Sequence, residues 1–216
     1  MPFKAETLRL YLVTDRDLCA DFGLVETVQS AVAGGATLVQ LRDKRANTQE
    51  MTEMARALKR ALAETGVPLI VNDDVDAAVA ADADGVHVGQ SDDGVALARQ
   101  RLGPNAIVGL SCETEAHIEA AEISLLDYLG IGTVFATATK GDHSPPIGLD
   151  GLAELCALSP LPTVAIGGLK AEHTHDVLSA GADGLAVVSA ICGQPDPKAA
   201  AKSFFPPNNQ TDGAAT

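Results

Sequence analysis

Short apolar runs rich in β-branched residues alternate with longer amphipathic segments along most of the chain. The short runs predict eight buried strands, at residues 9–14, 37–42, 68–71, 85–88, 106–110, 128–132, 163–166 and 184–188. The longer segments carry apolar residues three or four positions apart, most clearly in 49–64, and therefore predict helices with one buried face. This alternation is typical of an α/β protein with a parallel sheet, and eight units favour a (β/α)8 TIM barrel.

A weak internal repeat agrees with repeated βα units. The segments AGGATLVQ, AADADGVHVG and SAGADGLAVV each combine a helix end, a turn of small residues and a buried strand. Glycine suits such a turn because a helix often stops at a residue in the left-handed conformation. No second pattern interrupts the chain, so we expect one barrel domain over residues 1–206 and a disordered polar tail over 207–216.

Composition narrows the choice of partners and compartment. The chain has 216 residues, 46% of them hydrophobic, and a formal net charge of −14, which disfavours binding to nucleic acid or to an anionic membrane. It has no apolar run approaching the length of a membrane span. Its four cysteines are widely separated, as in proteins from a reducing compartment. We therefore expect a cytoplasmic protein without nucleic-acid or membrane partners, and leave open whether it forms a homo-oligomer.

Two acidic clusters follow consecutive predicted strands. Residues 72–74 (NDD) follow the third strand and residues 91–93 (SDD) follow the fourth. Parallel neighbouring strands lie about 4.8 Å apart, so both clusters would sit at the same edge of the sheet, where Asp73 and Asp92 could bind one Mg²⁺. Aspartates before an alanine-rich helix are also ordinary N-caps. The last aspartate of each cluster can keep that capping role.

Basic and polar side chains follow the other predicted strands, where TIM barrels carry their chemistry. An acidic protein must neutralise a diphosphate with local positive charge and a divalent ion. The basic residues that could supply this charge are Arg42, Lys44 and Lys140. The turns at 167–168 and 188–189 suggest a second site, for a phosphate monoester held by backbone amides. The alternative interpretation of Gly167 and Gly168 is that they only form a tight turn at the end of a strand, without binding phosphate.

Several motifs together resemble the thiamine-phosphate synthase family, also called thiamine-phosphate pyrophosphorylase. They are LYLVTD, VQLRDK, VNDDVDAA, ADGVHVGQSD, GLSC, DYLGIGTVFATATK, PPIGLDGL, AIGGL and GADGLAVVSAI, and they extend from about Leu10 to Ile191. The resemblance implies a magnesium-dependent transferase that joins a thiazole phosphate to an aminomethylpyrimidine diphosphate. The products would be thiamine monophosphate and pyrophosphate. One departure is Ala136, where many members of the family have proline.

The resemblance also implies a role for each matching residue. Asp73 and Asp92 would bind the metal. The residues expected at the pyrimidine diphosphate are Gln40, Arg42, Lys44, Asn72, Ser111 and Lys140, of which Arg42, Ser111 and Lys140 are the candidate catalytic residues. The residues expected at the thiazole phosphate are Thr137, Thr139, Gly168, Val188 and Ser189.

Two other functions stay open at this stage. A related thiazole tautomerase would share the barrel but has no pyrophosphate to release, and a regulator would bind the thiazole phosphate without turnover. Retention of both acidic residues and the basic set favours the synthase. A hydrolase is disfavoured because the sequence has no nucleophile elbow and does not indicate a histidine near Ser111. We expect His87 to be an interior histidine with satisfied nitrogens.

Overall fold

A computed structural model describes residues 3–90, 94–137 and 145–205. Eight parallel strands hydrogen-bond in sequence order and close into a barrel, with β8 next to β1. This architecture confirms the predicted (β/α)8 TIM barrel. The strands are β1 (Leu10–Val13), β2 (Leu38–Leu41), β3 (Leu69–Asn72), β4 (Gly85–Val88), β5 (Ile107–Cys112), β6 (Tyr128–Ile131), β7 (Thr163–Ile166) and β8 (Gly184–Val187).

A helix follows each strand along the chain. The helices are α1 (Leu24–Ala33), α2 (Thr48–Leu62), α3 (Val75–Ala80), α4 (Gly94–Leu102), α5 (Glu115–Glu119), α6 (Gly148–Leu158), α7 (Thr174–Ser179) and α8 (Pro197–Lys202). The longest, α2, begins with a capping box in which Asn47 and Glu50 satisfy each other's backbone amides. No helix within the described ranges combines the length and apolarity of a membrane span. The predicted tail at 207–216 lies outside the described residues.

Apolar side chains form an outer and an inner core. The outer core lies between the strands and the surrounding helices and contains most of the buried leucines, valines and alanines. The inner core lies within the barrel and includes Leu8, Tyr11, Ile70 and Tyr128. A short 3₁₀ turn, Ala5–Leu8, precedes β1 and brings Leu8 into this inner cluster. The amino ends of the strands are thus filled, which leaves the opposite end for a ligand.

The internal repeat marks equivalent turns at the amino ends of the strands. Gly35, Asp82 and Gly181 all have positive φ, of 114°, 53° and 99°. Each repeat therefore contains the left-handed residue expected at this turn. The aspartate of ADG then bonds back to the preceding strand: Asp84 accepts from Leu69 N, and Asp183 accepts from Thr163 N, each at 2.8 Å.

Candidate active site

A pocket opens at the carboxyl ends of the strands. Its empty volume is about 850 Å³, including solvent space at its open mouth. Eight of the predicted site residues line it: Gln40, Arg42, Asn72, Ser111, Thr137, Gly168, Val188 and Ser189. They come from strands and loops far apart in sequence, and barrel closure brings them together. Their individual roles stay predictions.

The other predicted residues lie beside this pocket or outside the described ranges. Lys44 is exposed and lines a neighbouring cleft that also includes Arg42. Asp73 is exposed and directly follows Asn72 of the pocket wall. Asp92, Thr139 and Lys140 lie outside the described residues, so their predicted roles are not tested by the structure.

Asp73 and Asp74 are clearly different in geometry. Asp74 caps α3, with its side chain accepting from Ala77 N at 2.8 Å. Asp73 has a left-handed φ of 60°, which is uncommon for a residue with a side chain and is often found at functional sites. Its Oδ2 accepts from Asn72 Nδ2 at 2.6 Å. The cap predicted within this cluster is therefore present, and Asp73 has no capping role.

Arg42 contributes a cation to the described part of the pocket wall. Two nearby arginines have acidic partners: Arg45 pairs with Asp17, and Arg16 Nε lies 2.9 Å from Asp43 Oδ2 in an ion pair that is not a directed hydrogen bond. Among the described residues, no acidic side chain forms an ion pair with Arg42. Its guanidinium is thus available to an anionic ligand.

The glycine pair after β7 brings backbone close to the pocket. Gly167 and Gly168 have φ values of 93° and 66°, and a Cβ at Gly168 would lie 2.7 Å from the carbonyl oxygens of Phe135 and Ala136. The turn therefore requires glycine. The backbone amides of Gly168 and Ser189 find no acceptor in the described parts of the chain. Together with the pocket, these two donors favour an anion site over a mere strand exit.

Ser111 differs in position from the sequence prediction. We expected a loop residue after β5, but the strand continues to Cys112 because it pairs with β6 through Ser111 and Cys112. Ser111 therefore points inward from a strand, where His87 Nε2 lies 2.9 Å from its Oγ. His87 Nδ1 contacts Tyr128 Oη at 2.8 Å. His87 is interior and hydrogen-bonded as expected, but it also lines the pocket and reaches Ser111, which the sequence did not indicate.

Burial raises the pKa values of side chains at the bottom of the pocket, here called the pocket floor. It raises the pKa of Tyr11 and of Tyr128 far above their ordinary value, and it raises the pKa of the neighbouring Cys112 thiol to about 11. Both tyrosines therefore stay protonated over the physiological pH range. They can act there only as neutral hydrogen-bonding groups.

These shifts predict a loss of stability in alkali. Above about pH 10 the tyrosines ionise in the unfolded chain but not in the folded one, so the unfolded state binds fewer protons and stability falls as pH rises. The expected slope is about 1.4 kcal/mol per pH unit for each tyrosine. Urea unfolding between pH 8 and 12 measures it. Tyr128→Phe should make the slope shallower by about 1.4 kcal/mol per pH unit, the contribution of one tyrosine. An equal slope in the variant and the unmodified protein would contradict the prediction.

Comparisons with known proteins agree with this architecture. A family model described as thiamine monophosphate synthase matches residues 10–191. A thiamine-phosphate synthase from Azorhizobium caulinodans is 53% identical over 197 residues, which cover 91% of this chain and 93% of the relative. One from a Psychrobacter species is 52% identical, covering 92% and 94%. The solved thiamine phosphate pyrophosphorylase of Pyrococcus furiosus superposes with a TM-score of 0.82 at 38% identity, covering 93% and 95%.

Proposed function

The chain belongs to the thiamine monophosphate synthase family, and we propose that it joins a thiazole phosphate to an aminomethylpyrimidine diphosphate. It is a transferase of thiamine biosynthesis that forms thiamine monophosphate. The observation that carries the detailed proposal is the composition of the pocket at the carboxyl ends of the strands. Among the residues that the structure describes, it combines a neutral hydrogen-bonding floor, an arginine with no acidic partner and a glycine-containing turn whose amides have no acceptor. A heterocycle, a diphosphate and a phosphate monoester are the three groups that such surroundings suit.

The pyrimidine diphosphate would bind on the side of β2 and β3. Gln40 and Ser111 would face its ring, and Asn72 would lie beside its diphosphate. Arg42 can bind phosphate oxygens in bidentate fashion, and the flexible cation Lys44 lies next to it. Lys140 is assigned to the leaving pyrophosphate on the family resemblance.

Magnesium fits the donor set proposed for this edge of the barrel. Asp73 supplies a carboxylate that is not used as a cap and that Asn72 orients through a hydrogen bond. Mg²⁺ prefers such oxygen ligands together with phosphate oxygens and water. Asp73 and Asp92 would hold it, and when bound it would offset negative charge on the diphosphate.

The thiazole phosphate would occupy the opposite wall. The amides of Gly168 and Ser189 would bind its phosphate, with Thr137 and Val188 completing the surface and Thr139 assigned on the resemblance. This arrangement holds the two substrates on facing walls of one pocket. It would set the thiazole nitrogen against the methylene carbon of the pyrimidine.

The chemistry requires no protein nucleophile. The amino group of the pyrimidine can delocalise positive charge from the exocyclic methylene, so the C–O bond to pyrophosphate can break before the thiazole nitrogen attacks. The carbon–nitrogen bond then forms with the nitrogen's own electron pair. The residues of this chain would orient both rings, exclude water from the carbocation and bind the leaving group, which are positioning and electrostatic effects.

Purified protein with both substrates, with and without Mg²⁺, tests the proposal. We expect thiamine monophosphate and pyrophosphate in equal amounts, with turnover lost in excess EDTA and restored by Mg²⁺. An electron-withdrawing substituent on the pyrimidine should lower kcat, because it destabilises the carbocation. Equal rates for both pyrimidines would contradict the dissociative path, and full activity in EDTA would contradict the metal.

The same assay separates the alternative functions. Isomerisation of a thiazole carboxylate phosphate without condensation would identify a tautomerase, and binding without turnover would identify a regulator. The synthase name of relatives about half identical over nine-tenths of the chain favours condensation. Cytoplasmic location and self-association stay predictions from the sequence.

A further inference from the structure

Five polar side chains form a continuous hydrogen-bond chain across the interior of the barrel. Gln40 Nε2 donates to Tyr11 Oη, and Tyr11 Oη lies 3.0 Å from Tyr128 Oη. Tyr128 Oη lies 2.8 Å from His87 Nδ1, and His87 Nε2 lies 2.9 Å from Ser111 Oγ. These residues come from five different strands, so the chain connects opposite walls of the barrel. Both of its ends, Gln40 and Ser111, line the pocket, and so do Tyr11 and His87 between them.

The rings in the middle of this chain are tightly held. Tyr128 is completely buried and stacks on Phe3 from the amino end of the barrel, with ring centroids 5.6 Å apart. A Cβ at Gly109 would lie 2.1 Å from Tyr128 Cζ, and one at Gly130 would lie 3.1 Å from His87 Cε1. Glycines on β5 and β6 therefore make the space that the two rings fill. The hydrogen-bond geometry follows from packing rather than from a mobile loop.

The direction of every bond follows from the first donor. When the Gln40 amide donates to Tyr11, the Tyr11 hydroxyl must donate to Tyr128, its only other hydrogen-bonding partner among the described residues. Tyr128 then donates to His87 Nδ1, so a neutral His87 ring would carry its proton on Nε2. That Nε2–H donates to Ser111 Oγ, and the Ser111 hydroxyl hydrogen is left to point to the pocket. The reverse orientation of the Gln40 amide would reverse all of these bonds.

We propose that Tyr11, Tyr128 and His87 are positioning residues that force Gln40 and Ser111 to present opposite hydrogen-bonding groups to the ligand. In this direction, the Gln40 amide nitrogen is engaged by Tyr11, so its carbonyl oxygen would be the acceptor for the ligand, and Ser111 would be the donor. The three residues thus act on the recognition pattern of the pocket through Gln40 and Ser111. It couples two ligand contacts that lie 71 positions apart in sequence.

This pattern fits a heterocycle with an amino group on one edge and an unprotonated ring nitrogen on the opposite edge. The amino group donates to Gln40 and the ring nitrogen accepts from Ser111, whereas an oxo analogue presents an acceptor to the Gln40 carbonyl oxygen. The inference rests on the proposed function, because the aminopyrimidine is the substrate assigned to this floor. It adds the mechanism by which the amino form would be selected over the oxo form.

The test combines a spectrum of the free protein with substrate selection. Nitrogen-15 NMR of His87 should show the Nε2–H tautomer in the unmodified protein and a changed tautomer population in Tyr128→Phe, which keeps the ring. The ratio of kcat/KM for the amino and oxo pyrimidine diphosphates should fall about 5- to 100-fold in Tyr128→Phe and Tyr11→Phe, the size of one lost buried hydrogen bond. The KM for thiazole phosphate should not change. Thr163→Val is the matched control, since it removes a buried strand hydroxyl that bonds to Cys156 outside the chain.

Two results would overturn the inference. One is an Nδ1–H tautomer of His87 in the unmodified protein, which would mean that the chain runs in the opposite direction. The other is an unchanged amino-to-oxo ratio in both tyrosine variants. If the unmodified protein does not condense the two substrates, the proposed function fails, but the NMR measurement still decides whether the chain sets the tautomer.

Discussion

Asp73→Asn should lower kcat about 10²- to 10³-fold, the usual cost of removing a group that stabilises transition-state charge. Asparagine tolerates the left-handed conformation of this position nearly as well as aspartate does, so the fold should be retained. What changes is the charge of the proposed metal ligand. Initial rates at increasing Mg²⁺ concentration should show a higher Mg²⁺ requirement, with little change in the KM for thiazole phosphate.

Asp74→Asn is the matched control, one residue away in the same acidic cluster. It removes the same charge from the loop but keeps a side-chain oxygen to cap α3, and asparagine caps a helix about as well as aspartate. We expect nearly normal activity and stability. Equal loss of activity in both variants would mean that the net charge of the cluster matters, and not metal binding by Asp73 itself.

The fold could be predicted because its signals are local and repeated. Each strand is a short, mostly apolar run, and each of the three repeated segments contains a residue with positive φ, at Gly35, Asp82 and Gly181. The carboxyl ends of parallel strands meet at one edge of a barrel, so polar residues at these ends predict the location of the pocket. Gln40, Arg42 and Gly168 were found in this way and share that pocket.

The interior chain could not be predicted, because it depends on register between distant strands. Tyr11 and Tyr128 are separated by 117 positions and read in the sequence as ordinary strand residues. Their contact requires closure of the barrel and the space left by Gly109. The end of β5 was also misplaced, since strand pairing with β6 rather than composition extends it past Ser111. Nothing local distinguishes these residues from core positions.

The electrostatics of the pocket can be understood only from the sequence and the structure together. A chain with a net charge of −14 should repel a diphosphate at long range, so binding must depend on a few cations at short range. The sequence supplies several arginines near β1 and β2, and only the structure shows which of them already have acidic partners. Arg16 and Arg45 do, whereas Arg42 lines the pocket.

Arg42→Gln should therefore lower kcat/KM for the pyrimidine diphosphate about 10²- to 10³-fold, because its guanidinium would bind charge that increases on the leaving pyrophosphate. Arg42→Lys keeps the charge but not the bidentate geometry, so its kcat/KM should lie between those of the unmodified protein and Arg42→Gln. The KM for thiazole phosphate should stay within twofold of the unmodified value, about 0.4 kcal/mol. Steady-state kinetics with each substrate varied in turn measure these effects.

Arg45→Gln is the control that separates a specific contact from general loss of positive charge. It removes one cation three residues away, where the guanidinium is exposed and bound to Asp17. An exposed pair of this kind contributes little to stability, so the fold should tolerate the change. The effect on kcat/KM should be small and should disappear at high salt, since screening weakens long-range attraction but not a contact ion pair. Equal losses in Arg42→Gln and Arg45→Gln would mean that the mouth attracts the diphosphate by its overall field, without a dedicated arginine.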